Sequence, residues 1–242
     1  VEKIETLIEK DREPHAIDLV RGLNDDALYE AFFEICSIHG HQIRIRHPFT
    51  ASFILELLAI CPEGAGVDLK EQAEDIDELD LRAWVLVRKM KKIPPLEVFT
   101  NLDLLSLYGN LISDLSPLSP LVKLGKLDLG ENKISDLSPL ANLTDLTELY
   151  ARYNKIADLS PLADLTNLMT LWLGHNEITD LSPLTSLRNL LDLNLEKNKV
   201  TDLSPLTGLT NLVKLDLGEN PISNEEVAML RKALPGCLIS VR

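Results

Sequence analysis

The chain is 242 residues long, 45% hydrophobic and 26% charged, a globular composition that excludes a wholly disordered chain. Its 38 acidic against 24 basic residues give a net charge of −14, which argues against a nucleic-acid partner, because phosphate binding draws on excess Lys and Arg. No stretch approaches the roughly 18 apolar residues of a membrane span, so no membrane insertion is expected.

Residues 1–79 read as an α-helical amino-terminal cap or domain. Ile4, Leu7 and Ile8 make one apolar stripe. Ala16, Ile17, Leu19, Val20 and Leu23 make a second, and Leu28, Ala31, Phe32 and Ile35 a third. Thr50 suits the start of a fourth helix through Phe53, Leu57 and Leu58. The opening VEKIETLIEK has no apolar signal core, and three scattered cysteines, Cys36, Cys61 and Cys237, form no disulfide framework. A cytoplasmic location is therefore expected, with secretion the outcome if a signal was removed before Val1. Residues 1–80 hold 19 acidic and 7 basic residues. The densest acidic run, Glu71 to Asp80, reads as a solvated helix face and linker, or as a docking surface for a basic partner. Cys36, His39, His41 and His47 match no closed zinc spacing. They read as a surface loop and a short strand over 41–46, with no metal.

From residue 80 onward the chain repeats. Asn recurs at 110, 132, 154, 176, 198 and 220, and Pro at 117, 139, 161, 183 and 205, each 22 apart. The unit is LxxLxLxxNxI followed by xDLSPLxxL, in six close copies over 80–222 with one irregular copy before them. In that first copy Val85, Met90, Pro95, Leu96 and Phe99 fall on the columns, and Arg88 stands where Asn belongs. LxL is the alternation of a short strand with one buried face. Units that cannot bury their leucines alone stack into a parallel sheet. Asn110, Asn132, Asn154, Asn176, Asn198 and Asn220 are expected to form a structural ladder, each amide serving backbone groups of adjacent turns. In D-L-S-P-L, Ser suits a helix N-cap and Pro the first helical position. A 22-residue coil has room only for a 3₁₀ turn there. The repeating Asp114, Asp136, Asp158, Asp180 and Asp202 read as turn or capping residues.

These motifs resemble leucine-rich repeats of the 22-residue class. The D-L-S-P-L step resembles that of the bacterial internalins, and the array is also similar to the leucine-rich regulatory subunit of protein phosphatase. The resemblance covers about residues 80–242. It implies a right-handed α/β solenoid, with a parallel sheet on the concave face and 3₁₀ turns on the convex face. It leaves function open, because one scaffold serves many partners.

Residues 223–242 read as a helix-strand carboxyl-terminal cap. Asn224 suits the N-cap, Glu225 and Glu226 the first turn, and Arg231 and Lys232 the last. Pro235-Gly236 stops the helix, and residues 237–241 form a last strand in which Cys237 is expected to be buried.

No phosphate loop, nucleophile elbow or metalloprotease motif is present, so no catalytic residue, cofactor or enzyme activity is expected. The non-leucine strand positions point away from the core and are free to serve a partner. They hold Tyr108, Tyr150, Arg152, Tyr153, Trp172 and His175. Aromatic residues with Arg are the usual anchors of protein interfaces. Trp84, in the irregular copy, is expected either on the same face or beneath the helical domain. The leading expectation is a monomeric, non-enzymatic scaffold that binds a protein or peptide on the concave face. The alternatives are a stoichiometric inhibitor or regulatory subunit of an enzyme, a secreted internalin-like adhesin or effector, and a purely structural repeat domain.

Overall fold

The structure is a computed structural model that describes residues 36–39, 42–45, 77–82, 89, 91–93, 96 and 99–241. The helices expected within 1–35 and 47–76 lie outside the described residues, as does Trp84.

Ten strands form one sheet in chain order: β1 (Cys36–His39), β2 (Gln42–Ile45), β3 (Glu78–Asp80), β4 (Leu104–Ser106), β5 (Lys126–Asp128), β6 (Glu148–Tyr150), β7 (Thr170–Trp172), β8 (Asp192–Asn194), β9 (Lys214–Asp216) and β10 (Leu238–Ser240). From β2 onward every neighbour is parallel, and only the β1–β2 hairpin is antiparallel. Two strands therefore extend the sheet within the segment read as helical, and one coincides with the short strand expected over 41–46.

The repeat strands β4 to β9 are three residues long because only the middle leucine and the one that follows the strand point inward. Leu105, Leu127, Leu149, Leu171, Leu193 and Leu215 are fully buried in one column. Behind them the chain returns through 3₁₀ turns at Ser116–Leu118, Ser138–Leu140, Ser160–Leu162, Ser182–Ser186 and Ser204–Leu206. The core is thus a stack of leucine layers. Each buried leucine contributes about 1.5–3 kcal/mol relative to exposure.

The turn chemistry differs from the sequence expectation by one position. The residue before each turn is a leucine with no side-chain cap, and Ser is already the first helical residue. The capping oxygen comes from the preceding aspartate. Asp114, Asp136, Asp158, Asp180 and Asp202 each accept the Ser backbone N–H two residues on, at 2.8–2.9 Å. This is an Asx turn, which presets the chain for the tight helix.

The six asparagines interlock successive coils. Asn132 Nδ2 donates to Leu129 O and, in the coil before, Leu107 O, both at 3.0 Å. Its Oδ1 accepts the Ile112 N–H at 3.0 Å. Asn154, Asn176, Asn198 and Asn220 repeat this pattern. Consecutive asparagines therefore share a carbonyl: Ala151 O accepts from both Asn154 and Asn176, and Leu173 O from both Asn176 and Asn198. A second amide column missed in the sequence reading, Asn167, Asn189 and Asn211, donates to Thr144 O, Thr166 O and Arg188 O at 2.8–2.9 Å.

The register at the amino end corrects the sequence reading. Leu79 pairs with Leu105, 26 residues on, where later coils advance by 22. Asn110 Nδ2 accordingly donates to Leu81 O at 3.0 Å, so Leu81 holds the place assigned to Val85. The position opposite Ser106 is Asp80, not Trp84. Ile93, Leu96 and Phe99 remain in the 22-residue register and are buried. The four extra residues therefore fall between Leu81 and Ile93.

At the carboxyl end a helix spans Asn224–Ala233. Ser223, rather than Asn224, is its N-cap, accepting the Glu226 N–H at 3.2 Å. Glu226 Oε2 reaches back to accept the Leu203 N–H at 2.8 Å, tying the helix to the last 3₁₀ turn. Cys237 is half-buried rather than fully buried, and that burial raises its thiol pKa. No helix among the described residues is long and apolar enough to cross a membrane.

Candidate functional site

The strand positions that face away from the leucines align in columns, because parallel pairing places equivalent residues side by side. Tyr150 stands beside Trp172, and Trp172 beside Asn194. Neighbouring strands lie about 4.8 Å apart, so aromatic rings on adjacent coils must touch. Tyr150 meets Trp172 edge-on with centroids 5.1 Å apart. Tyr153 stacks on His175 at 3.9 Å and 22°. The Arg152 guanidinium lies 5.8 Å from the Tyr108 ring centroid, and the Lys214 ammonium 5.6 Å from that of Trp172. These contacts join the six residues in three pairs, Tyr108 with Arg152, Tyr150 with Trp172 and Tyr153 with His175, on the coils of β4, β6 and β7.

Local structure sets each side chain. Tyr153 and His175 sit in the left-handed region, at φ 57° and 58°, as do Glu131, Lys197 and Glu219. Gly109 fills the same column at φ 79°. This is the residue where the chain leaves the strand just before the ladder asparagine. Such a conformation costs a non-glycine residue about 1–2 kcal/mol, yet it turns Tyr153 outward, where it is 46% exposed. Tyr108 lies across Gly130: a Cβ at Gly130 would stand 2.9 Å from Tyr108 Cδ2. From there the Tyr108 hydroxyl donates to Glu131 Oε1. That hydrogen bond, with burial, raises the Tyr108 pKa.

Charge pairs surround the aromatics. Lys126 binds Glu148 at 2.9 Å, and the Tyr150 hydroxyl donates to Glu148 Oε2 at 2.8 Å. Burial works against the Glu148 carboxylate, but these two hydrogen bonds outweigh it and lower its pKa. Burial and then the Glu148 carboxylate push the Tyr150 phenol up to about 12. Lys197 pairs with Glu219 at 3.0 Å, while Lys214 stands 3.7 Å from Asp192 Oδ2. A shallow hollow of about 340 Å³ lies beside Tyr150, floored by Leu104, Leu105 and Leu127 and bordered by Lys126, Asp128 and Glu148.

The sequence reading missed an apolar lip. Met169, Leu191 and Val213, one per coil just before the strand, are 43%, 36% and 56% exposed. Leu238 in β10, beside Lys214 and one position further along, is also exposed. The signal was present as an apolar column at 22-residue spacing, but that column also holds Gly125 and Thr147. Among the described residues no group of His, Cys, Asp and Glu has the arrangement of a metal site.

A parallel sheet backed by 3₁₀ turns, with one Asn rung per 22-residue coil, defines a leucine-rich repeat solenoid. The family model for Leucine Rich repeats (2 copies) matches twice, over residues 100–142 and 144–186. The chain is similar to internalin C2 from Listeria monocytogenes str. 4b F2365, at 31% identity and a TM-score of 0.60, over 72% of this chain and 84% of that one. The protein belongs to the internalin-like leucine-rich repeat family. It is also similar to a leucine-rich repeat protein of Leptospira interrogans, at 27% identity and a TM-score of 0.53, covering 72% of this chain and 57% of that chain. The PEPR1-AtPEP1 structure is similar at 25% identity and a TM-score of 0.59, over 72% of this chain and 25% of that one. Comparison with curated protein sequences returned no match. Leucine-rich repeat proteins of this fold are protein-interaction scaffolds, which supports a binding role.

Proposed function

We propose that this chain is a non-enzymatic scaffold that docks a protein or peptide on the concave face of its solenoid. Tyr108, Tyr150, Arg152, Tyr153, Trp172 and His175 are the contact residues. The observation that carries this reading is the set of three ring and cation pairs that these six residues form on neighbouring coils. Rigid aromatic groups present large contact area at low entropy cost, and with Arg they dominate binding energy at protein interfaces.

The test is affinity capture from native lysate with the full chain, against a variant carrying Tyr150→Ala, Tyr153→Ala and Trp172→Ala. The expected result is a stoichiometric protein captured by the parent and lost by the variant, at equal folded content by circular dichroism. A partner retained by the variant places the binding surface elsewhere and refutes the proposal.

A further inference from the structure

Three buried polar atoms on this face have no hydrogen-bond partner among the described residues: Ser106 Oγ, Trp172 Nε1 and Asp192 Oδ1. The last two are a donor and an acceptor on adjacent coils. A buried polar group left unpaired costs about 1–3 kcal/mol, so each calls for an explanation. The chain's own Lys214 shows what chemistry suits the place. Its ammonium lies 5.6 Å from the Trp172 ring centroid and 3.7 Å from Asp192 Oδ2. That is a loose ion pair, and it leaves Oδ1 unserved.

Resting on the concave-face reading, we infer that the partner inserts a basic side chain between Trp172 and Asp192, displacing Lys214, from an extended segment whose apolar residues lie on Met169, Leu191 and Val213. An arginine fits best. Its planar guanidinium stacks on an indole and presents two parallel donors to one carboxylate, which a lysine cannot do. A backbone carbonyl of the same segment accepts from Trp172 Nε1. The local acidic groups favour the match: Glu196 follows Asp192 on one coil, and Asp216 stands on the next, beside Lys214. The lip supplies what the charge does not. Three exposed apolar side chains on consecutive coils span about 10 Å at the strand spacing, enough to seat alternate residues of an extended strand. The occupant is therefore a segment that is basic and apolar in alternation.

The test is selection of a displayed random 12-residue peptide library on the full chain, followed by titration of the enriched peptides against three variants. Basic residues are expected to recur at a fixed position flanked by apolar ones. Asp192→Asn should weaken those peptides about tenfold, the scale of a charge-assisted hydrogen bond. Lys214→Ala should tighten them several-fold, because it removes the internal competitor. Trp172→Ala should abolish binding. Lys214 is exposed and Trp172 and Asp192 are half-buried, and melting curves verify that each variant folds. Enriched peptides that need Trp172 but are indifferent to Asp192 and Lys214 overturn this inference and leave the concave-face reading standing. No enrichment, or peptides indifferent to Trp172 as well, overturns both.

Discussion

Replacing Asn176 by Leu tests the ladder at a buried interior rung. The side chain is 8% exposed, and Leu matches its size without its amide. Four hydrogen bonds disappear: to Ala151 O at 3.0 Å, to Leu173 O at 2.9 Å, a long one to Gly174 O at 3.4 Å, and from the Ile156 N–H at 3.0 Å. They are not equivalent. Ala151 O keeps its bond from Asn154, and Leu173 O keeps its bond from Asn198. Only the Ile156 N–H is left with no acceptor. An orphaned buried donor costs about 1–3 kcal/mol, and each weakened carbonyl loses about 0.5–1 kcal/mol net. The expected destabilisation is therefore about 3 kcal/mol, with its local signature at one amide. Urea unfolding followed by circular dichroism reads the total, and hydrogen exchange of the Ile156 amide reads the location. A loss below about 0.5 kcal/mol, or an Ile156 amide as protected as in the parent, refutes this account of the rung.

Four further outcomes are expected. Glu226→Ala orphans the Leu203 N–H and should destabilise the carboxyl cap by about 1–3 kcal/mol, read as faster exchange of that amide. Tyr153→Ile places a β-branched residue at φ 57° and should cost about 1–2 kcal/mol, whereas Tyr153→Gly should be near neutral in chemical denaturation. Hydrogen bonds from the Ser backbone N–H and hydroxyl lower the pKa of Asp114 and Asp180, and from the hydroxyl and then the N–H those of Asp136 and Asp202. Their folded values lie below the ordinary aspartate value, so this stabilisation is full above that ordinary value and is lost as pH falls through the folded values. Replacing the four by Asn should flatten the acid limb of the stability profile. Burial and the Glu148 carboxylate push the Tyr150 phenol up to about 12, so its contribution is full below the ordinary tyrosine value of about 10 and lost as pH rises toward 12. Phenolate absorbance should show a late step that Tyr150→Phe removes.

The repeat array was legible because one physical demand recurs. A coil that must bury inward leucines and satisfy its turn carbonyls has few solutions, so Leu171, Asn176 and Pro183 each announce a column. The first coil was less legible because Leu81 and Val85 are both apolar. A fixed 22-residue period selects Val85, and only the hydrogen bond from Asn110 reveals Leu81. The site divides in the same way. Alternation alone places Tyr150 and Trp172 on the open face. It says nothing of how far Lys214 reaches, nor that Met169 and Val213 stay uncovered, because those depend on side-chain packing between coils. Asp in D-L-S-P-L takes the turn and capping role expected of it, but Ser was misplaced as the N-cap because either side chain can serve as a cap, and a one-residue shift in where the turn begins decides between them.

Shared carbonyls make the interior coils interchangeable. Any unit from Asn132 to Asn198 offers its neighbours the same acceptor and receives the same donor. A gene that duplicates or deletes a whole 22-residue unit there closes again without a new compensating change, and the open face grows or shrinks by about 4.8 Å. The first coil, with its four extra residues, and the last, tied to the terminal helix through Glu226, have no such freedom. Relatives of this protein should therefore differ in length by multiples of 22 between fixed ends. Their partners would then be distinguished by span as much as by side chain, a ruler whose gradations are coils.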